Sequence, residues 1–420
     1  MSKYVRQEKS QRKHPVASSA TSLIKPPVVP VAPKERPGWK GPGFVKKTPK
    51  QIAVKAGHSK SESLNLAIQQ QYLPFPLQQL LLNVLRTSFP VCQDYETLKP
   101  MLQEIRLAIS EGDSGKAFSR PDWMEAYAVR WSSVRALCCA TVFVEILRDF
   151  RTEIWIKNLL NYGQNYEHSP KATCLGGGVT EMLTFAAVLR HIRHHLIDQH
   201  SQGEGQLVPG SLSPIQVKYP PKLDLNLVDR ADWTPAVSCL ENGLLTSPVL
   251  SKYASRSAIL KNTPFVTPDD LRVSFQKINA LGLSQQELAA IVGQTPTLIT
   301  LFFTLEDLCT TSTAKTAALL LKLTLEAPKD SLLLVIDSAE PVLNAVNGVD
   351  ESGEETKRYG ISNFLDMVLM EKRDSKGQAG KTAWEELIRD GKRLYKLAEG
   401  LKFPISLDHV KFQVHLFKKR

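Results

Sequence analysis

Apolar positions three or four residues apart open the foldable part of the chain. Leu77, Leu80, Leu81, Val84 and Leu85 follow the start Leu73-Pro74-Phe75-Pro76, and Leu98, Leu102, Ile105 and Ile109 repeat the spacing. Each set lines one helix face, so two amphipathic helices are expected. Trp123–Tyr127 and Val134–Leu147 extend the helical reading to about Asn165. Beyond it the pattern changes to short apolar runs separated by polar or helical stretches. Such runs begin at Ala172, Leu223, Leu271, Thr297 and Leu332, with a last one in Val410–Lys419. That alternation predicts an α/β fold with a mainly parallel sheet.

The first of these runs meets three glycines. In Lys171–Met182, KATCLGGGVTEM, Ala172–Leu175 reads as strand, Gly176, Gly177 and Gly178 as a tight turn, and the continuation as helix. Glycine allows positive φ and close approach to backbone N–H groups, and the helix offers its positive end. The turn therefore suits a nucleotide-like ligand, although glycine turns also serve plain helix–strand packing. The second run, KLDLNLVD, ends in Asp229. An acid there accepts hydrogen bonds from ribose hydroxyls in a doubly wound sheet, with Asp232 as substitute and simple turn formation as the competing role.

Composition adds three points. A hydrophobic fraction of 42% over 420 residues supports a large core with an attachment. The net charge of +11 is confined to one place: residues 1–62 hold 14 Lys and Arg against 3 Asp and Glu, and the remainder balances at 39 each. This proline-rich tail lacks the large apolar residues to order itself and suits polyphosphate, a solubilising or nuclear-import role being the alternative. The six cysteines, dispersed without a CxxC pair, read as reduced intracellular thiols. No apolar run approaches the ~18 residues of a membrane span, and no secretory signal is expected.

Three domain-scale segments follow: a disordered basic tail (1–62), a helical subdomain (63–168), and a Rossmann-like domain (169–420) with insertions near 201–220, 243–268 and 341–358. His191 and His195 stand four apart beside Arg190 and Arg193. Without a third ligand they read as a basic exposed helix face, and no metal is expected. A nicotinamide oxidoreductase is disfavoured by the lack of GxGxxG.

The particular wording of several segments is narrower than a fold class. LPFPLQQLLL (Leu73–Leu82), WMEAYAVRW (Trp123–Trp131) with Ser132 and Arg135-Ala136-Leu137-Cys138, LGGGVTE, LNLVDRADW (Leu225–Trp233) and EGLKFPISLDHVKFQVHLFKK (Glu399–Lys419) resemble the fungal 25S ribosomal RNA (uridine-N3)-methyltransferases. The likeness runs from about Leu73 to the end and excludes the tail. It implies a class I methyltransferase sheet of seven strands with the last reversed, and S-adenosylmethionine (SAM) as cofactor. Its substrate would be ribosomal RNA or a pre-ribosomal particle, and its place the nucleus or nucleolus and the cytoplasm. By position, Gly176, Gly177 and Gly178 would line the methionine part, Glu181 would close the loop, Asp229 would hold the ribose, and Gln276–Asn279 would approach the adenine.

Two departures stand out: Val179 and Thr180 replace the Ala and Gly of GGGAGAE, which strains or displaces the helix start, and Asn279 replaces an Asp. The inactive alternative, a methyltransferase-like RNA-binding or assembly protein, rests on them. Transfer to N3 requires losing its proton, so Glu306 or Asp307 is the candidate base, with helix capping as the competing role. N3 lies on the pairing edge, so the base must be unpaired or extruded, with Phe303 or Trp233 available to stack and Phe302 assigned to the core.

Overall fold

The computed structural model describes residues 67–160, 169–201, 220–260, 262–339, 342–344, 358–370 and 382–420. The basic tail and most of the insertions near 201–220 and 341–358 lie outside them. Residues 64–420 form one compact unit.

The strands are β1 (Ala67–Ile68), β2 (Lys171–Leu175), β3 (Leu223–Asp229), β4 (Leu271–Lys277), β5 (Thr297–Phe302), β6 (Leu332–Ser338), β7 (Val342–Asn344), β8 (Arg358–Gly360), β9 (Trp384–Tyr395) and β10 (Val410–Lys419). Eight of them make one sheet in the order β1-β9-β10-β6-β5-β2-β3-β4, while β7 and β8 pair separately. Seven long strands thus carry the sheet, and the two-residue β1 extends one edge. β2 through β6 run parallel, with Cys174 beside both Leu227 and Thr300. β10 is antiparallel to both its neighbours, so the last strand is the reversed one. β9 occupies a stretch whose charged residues hid it from a period-2 reading: Trp384 and Tyr395 at its ends are buried, and most positions between are half-exposed.

The helices are α1 (Phe75–Ser88), α2 (Tyr95–Ser110), α3 (Ser114–Ala117), α4 (Pro121–Tyr127), α5 (Ser133–Asp149), α6 (Ile154–Leu160), α7 (Val179–Ser201), α8 (Thr234–Leu245), α9 (Arg256–Leu260), α10 (Gln285–Val292), α11 (Leu305–Glu326) and α12 (Ile361–Leu365). α1 begins at Pro74-Phe75-Pro76, where proline's fixed φ suits a first turn, and α2 is capped by Asp94, which accepts the Thr97 N–H at 3.2 Å. One turn of π-helix, Ala128–Ser132, joins α4 to α5. Strands buried on both faces need cover on both. The N-terminal helices share one core with α7, α8 and one face of the sheet. α10, α11 and α12 cover the other face.

The Arg190/Arg193 side of α7 is not the open basic face the sequence suggested. Arg190 donates to the Pro264 and Phe265 carbonyls, Arg193 pairs with Asp270, and His191 is buried. The connection between α8 and β4 folds across that side, and its Phe265 and Val266 are in the core. The His195 side chain lies outside the described residues.

Candidate active site

Strand order reverses at β2, whose neighbours β5 and β3 lead outward in opposite directions, and ligands bind at the carboxyl ends of strands beside such a switch. Here the segments leaving β2, β3, β4 and β5 border an open cleft of about 890 Å³, counting space continuous with solvent. Gly176, Gly178, Glu181, Asp229, Asn279 and Asp307 all line it.

The glycines have different duties. Gly176 takes φ +74°, and any side chain there would collide with Thr304. Gly178 lies against the Trp233 ring, which a Cβ would approach to 3.2 Å. Gly177 is not on the cleft wall: a Cβ there would meet the Cys174 carbonyl oxygen at 2.8 Å and Leu227 at 3.2 Å. It lets the turn close onto its own strand. The Gly176 and Gly177 N–H groups both donate to the Val228 carbonyl, at 2.8 and 3.2 Å. The Gly178 N–H donates to the Glu181 carboxylate at 2.7 Å.

Glu181 is almost fully buried, and burial pushes its carboxyl up to about 7. Asp229 accepts the Ala231 N–H at 2.7 Å and is raised, again mainly by burial, to about 6. Asn279 is exposed at the cleft rim, and its amide oxygen takes the Leu281 N–H at 3.1 Å, leaving one lone pair of that oxygen free. Ile278, Ala280 and Leu281 beside it give the cleft an apolar end.

The strain expected at Val179 and Thr180 is elsewhere. α7 starts regularly at Val179, and among the described residues the non-glycine positions with positive φ are Phe303 and Asp330. Phe303, at φ +54°, follows β5, donates its N–H to the Ile336 carbonyl at 2.6 Å, and is nearly buried. Strain held at such a position marks a turn fixed from several sides. Phe302 stacks on Phe185 at 6.5 Å between centroids, in the core as expected, while also reaching the cleft.

A second open hollow, about 1260 Å³ counting space continuous with solvent, adjoins the first, and Tyr127, Arg135, Phe303 and Asp307 belong to both walls. Glu306, Trp131 and Asp337 line only the second. Glu306 and Asp307 sit in the first turn of α11, but the cap comes from Asp337, which accepts the Glu306 N–H at 3.2 Å. Asp337, at the end of β6, is buried and raised to about 7 by burial, its two backbone N–H partners pulling the other way. Burial also raises Glu306 and Asp307, with Arg135 opposing in both.

The sequence reading assigned no role to Arg135, Tyr127 or Asp337. The spacing of the chain carried no signal for them; the structure shows a π-turn between α4 and α5, an irregularity that recurs where side chains are re-aimed toward a site. It places Tyr127 at its start, Trp131 within it and Arg135 just beyond.

An α/β sheet with a reversed last strand, a glycine turn after its central strand and an acid after the next define a class I methyltransferase site. The chain matches the family model described as a putative SAM-dependent methyltransferase over residues 85–418 and belongs to that family. It is 25% identical over 383 residues to the 25S rRNA (uridine(2843)-N(3))-methyltransferase of Saccharomyces cerevisiae, covering 88% of this chain and 90% of that protein. Among solved structures, it is similar to a SAM-dependent methyltransferase from Methanosarcina mazei (11% identity, TM-score 0.29, 60% of this chain and 94% of that one). Another is from Clostridium acetobutylicum (10%, 0.29, 66% and 91%). At those scores the fold assignment rests on the strand order itself.

The residues present fit SAM. Buried carboxyls suit a cationic sulfonium, Asp229 suits ribose hydroxyls, and Ile278 and Leu281 suit adenine. The protein is a SAM-dependent methyltransferase. Among the described residues no cluster of three His, Cys, Asp or Glu is placed to hold a metal ion, and no helix is long and apolar enough to cross a membrane.

Proposed function

We propose that this enzyme methylates N3 of a uridine in large-subunit ribosomal RNA, free or in a pre-ribosomal particle, in the nucleus or nucleolus and the cytoplasm. The observation that carries the reading is convergence. The segments that resemble the uridine-N3 enzymes, WMEAYAVRW with Arg135, LGGGVTE and LNLVDRADW, are distant in sequence yet together form the walls of the cofactor cleft.

Bound SAM supplies a methyl carbon activated for in-line displacement: the N–C bond forms as the C–S bond breaks, and the electron pair stays on sulfur. The protein's part is to align the acceptor and exclude water. Gly176 and Gly178 let the turn approach the cofactor, and Asp229 takes the ribose. The second hollow receives an unpaired or extruded base, with Phe303, Tyr127 and Trp131 as stacking surfaces. Asp307, facing both hollows, is better placed than Glu306 to take the N3 proton. Mass spectrometry of large-subunit RNA from cells with and without the gene tests the assignment. Loss of one 3-methyluridine is expected on deletion, and an unchanged modification pattern would overturn it.

A further inference from the structure

In uracil the N3–H bond and the electron pair that must be methylated occupy one in-plane direction. A base still holding that proton stands where the methyl carbon has to arrive. The proton must therefore leave first, its bonding pair remaining on the ring and spreading over O2, N3 and O4. What this demands of the protein is a fixed positive donor beside a carbonyl oxygen, off the line of attack.

Arg135 meets that description. Its guanidinium lies 4.5 Å from the Phe303 ring centroid and 5.8 Å from that of Tyr127, on the wall common to both hollows. Nη1 donates to the Tyr127 hydroxyl at 2.5 Å. No carboxylate among the described residues is ion-paired with it, and its other N–H groups have no hydrogen-bond acceptor among them. A half-buried cation held by ring stacking on the wall of both hollows, with donors to spare, is placed to bind an anionic or carbonyl group that enters there. Resting on the uridine reading above, we infer that Arg135 donates to a carbonyl oxygen of the acceptor uracil and holds its N3-deprotonated form in the second hollow. The N3–H bond breaks with its pair kept by the ring, and the proton passes to Asp307 and on to solvent.

Charged and titratable groups facing Arg135 come from every neighbouring element: Tyr127 from α4, Cys139 from α5, Glu181 from α7, Glu306 and Asp307 from α11, and Asp337 from β6. The raised carboxyl of Asp307 makes it a stronger acceptor for a weakly acidic proton than an ordinary aspartate.

The test uses the full chain, large-subunit RNA transcripts made with uridine or 5-fluorouridine, whose N3 ionises more easily, and SAM affinity measured by calorimetry. Arg135→Gln is expected to lower the rate at pH 7 by about 10²-fold. Its rate should keep climbing at alkaline pH where the wild type has levelled, and the 5-fluorouridine transcript should restore it to within about tenfold, SAM affinity staying within about threefold. With S-adenosylhomocysteine present, wild-type binding of the fluorinated transcript should tighten as pH rises, and the variant should lose that dependence. If Arg135→Gln does not fold, Arg135→Lys, which keeps the charge but not the fork, should show a smaller loss in the same direction.

A variant with a wild-type pH profile and no gain from 5-fluorouridine overturns the role. So does weaker SAM binding with a wild-type rate at saturation, which would assign the guanidinium to the cofactor's carboxylate. A wild-type protein that leaves uridine N3 unmodified overturns the uridine reading and this one with it. An active wild type beside an insensitive variant overturns only this one.

Discussion

Asp229 and Glu181 are carboxyls whose ionisation the cofactor should sense, since both are raised by burial and both line its cleft. A cationic ligand favours their charged forms, so SAM affinity should weaken as pH falls through about 7, where Glu181 takes up its proton, and further through about 6, where Asp229 does. Calorimetry between pH 5 and 8 checks this. Asp229→Ala should bind SAM on the order of tenfold more weakly with its thermal unfolding little changed, and wild-type affinity would remove Asp229 from the site. Gly176→Ala, by contrast, should cost about 1–3 kcal/mol in chemical denaturation, because the +74° backbone and the Thr304 side chain both oppose a Cβ. These residues were legible in the sequence because a short motif on either side gave each its context. Arg135 and Asp337 were not. Nothing in the spacing of positions 135, 303 and 337 says that one cleft joins them, and a lone Arg on an apolar helix reads as surface. The separate duties of the three glycines were hidden for a related reason: adjacent glycines look equivalent until the turn shows which one faces the strand.

Glu181 also acts on the element it begins. It sits in the first turn of α7 and takes the Gly178 N–H, one of the donors a helix start leaves without an internal partner. Its carboxyl is raised from 4.5 to about 7, so the neutral form is the one the fold prefers. The stability this supplies is complete below the unfolded value and is lost as pH rises from about 4.5 through 7. Glu181→Gln, always neutral and still able to accept that N–H, should flatten the pH dependence of unfolding over this window, by up to about 3 kcal/mol. Parallel unfolding curves for variant and wild type would refute it. At the scale of elements, the strands from β2 to β6 announced themselves because strands covered on both faces read as apolar runs. β9 did not, since its alternating charged positions are only half-covered. The break in α11 at Ser312, where the backbone turns to φ −168° and ψ 103°, also left no mark that helical periodicity reveals.

Taken whole, the molecule separates its chemistry from its charge. Residues 64–420 form one compact unit whose clefts hold specific side chains, while the entire net positive charge belongs to residues 1–62. Sequence composition was decisive for that division, as charge density needs no fold to be counted, but it said nothing about how the N-terminal helices share a core with the sheet. If the tail supplies sequence-independent affinity for RNA phosphates, its contribution must decline with salt as counterion release weakens. A chain beginning at residue 63 should then bind single-stranded ribosomal RNA fragments less tightly at low salt, with a shallower dependence of log affinity on log salt. Every phosphate that the shortened chain leaves unneutralised lowers the steepness of that slope by about 0.7. SAM affinity should not change, because the residues lining the cofactor cleft all lie in the compact unit. Fluorescence anisotropy across a salt series, with calorimetry on the same preparations, separates the two effects. Equal slopes for the full and shortened chains would mean that RNA is gripped by the folded unit alone, with the tail's charge serving solubility or transport instead.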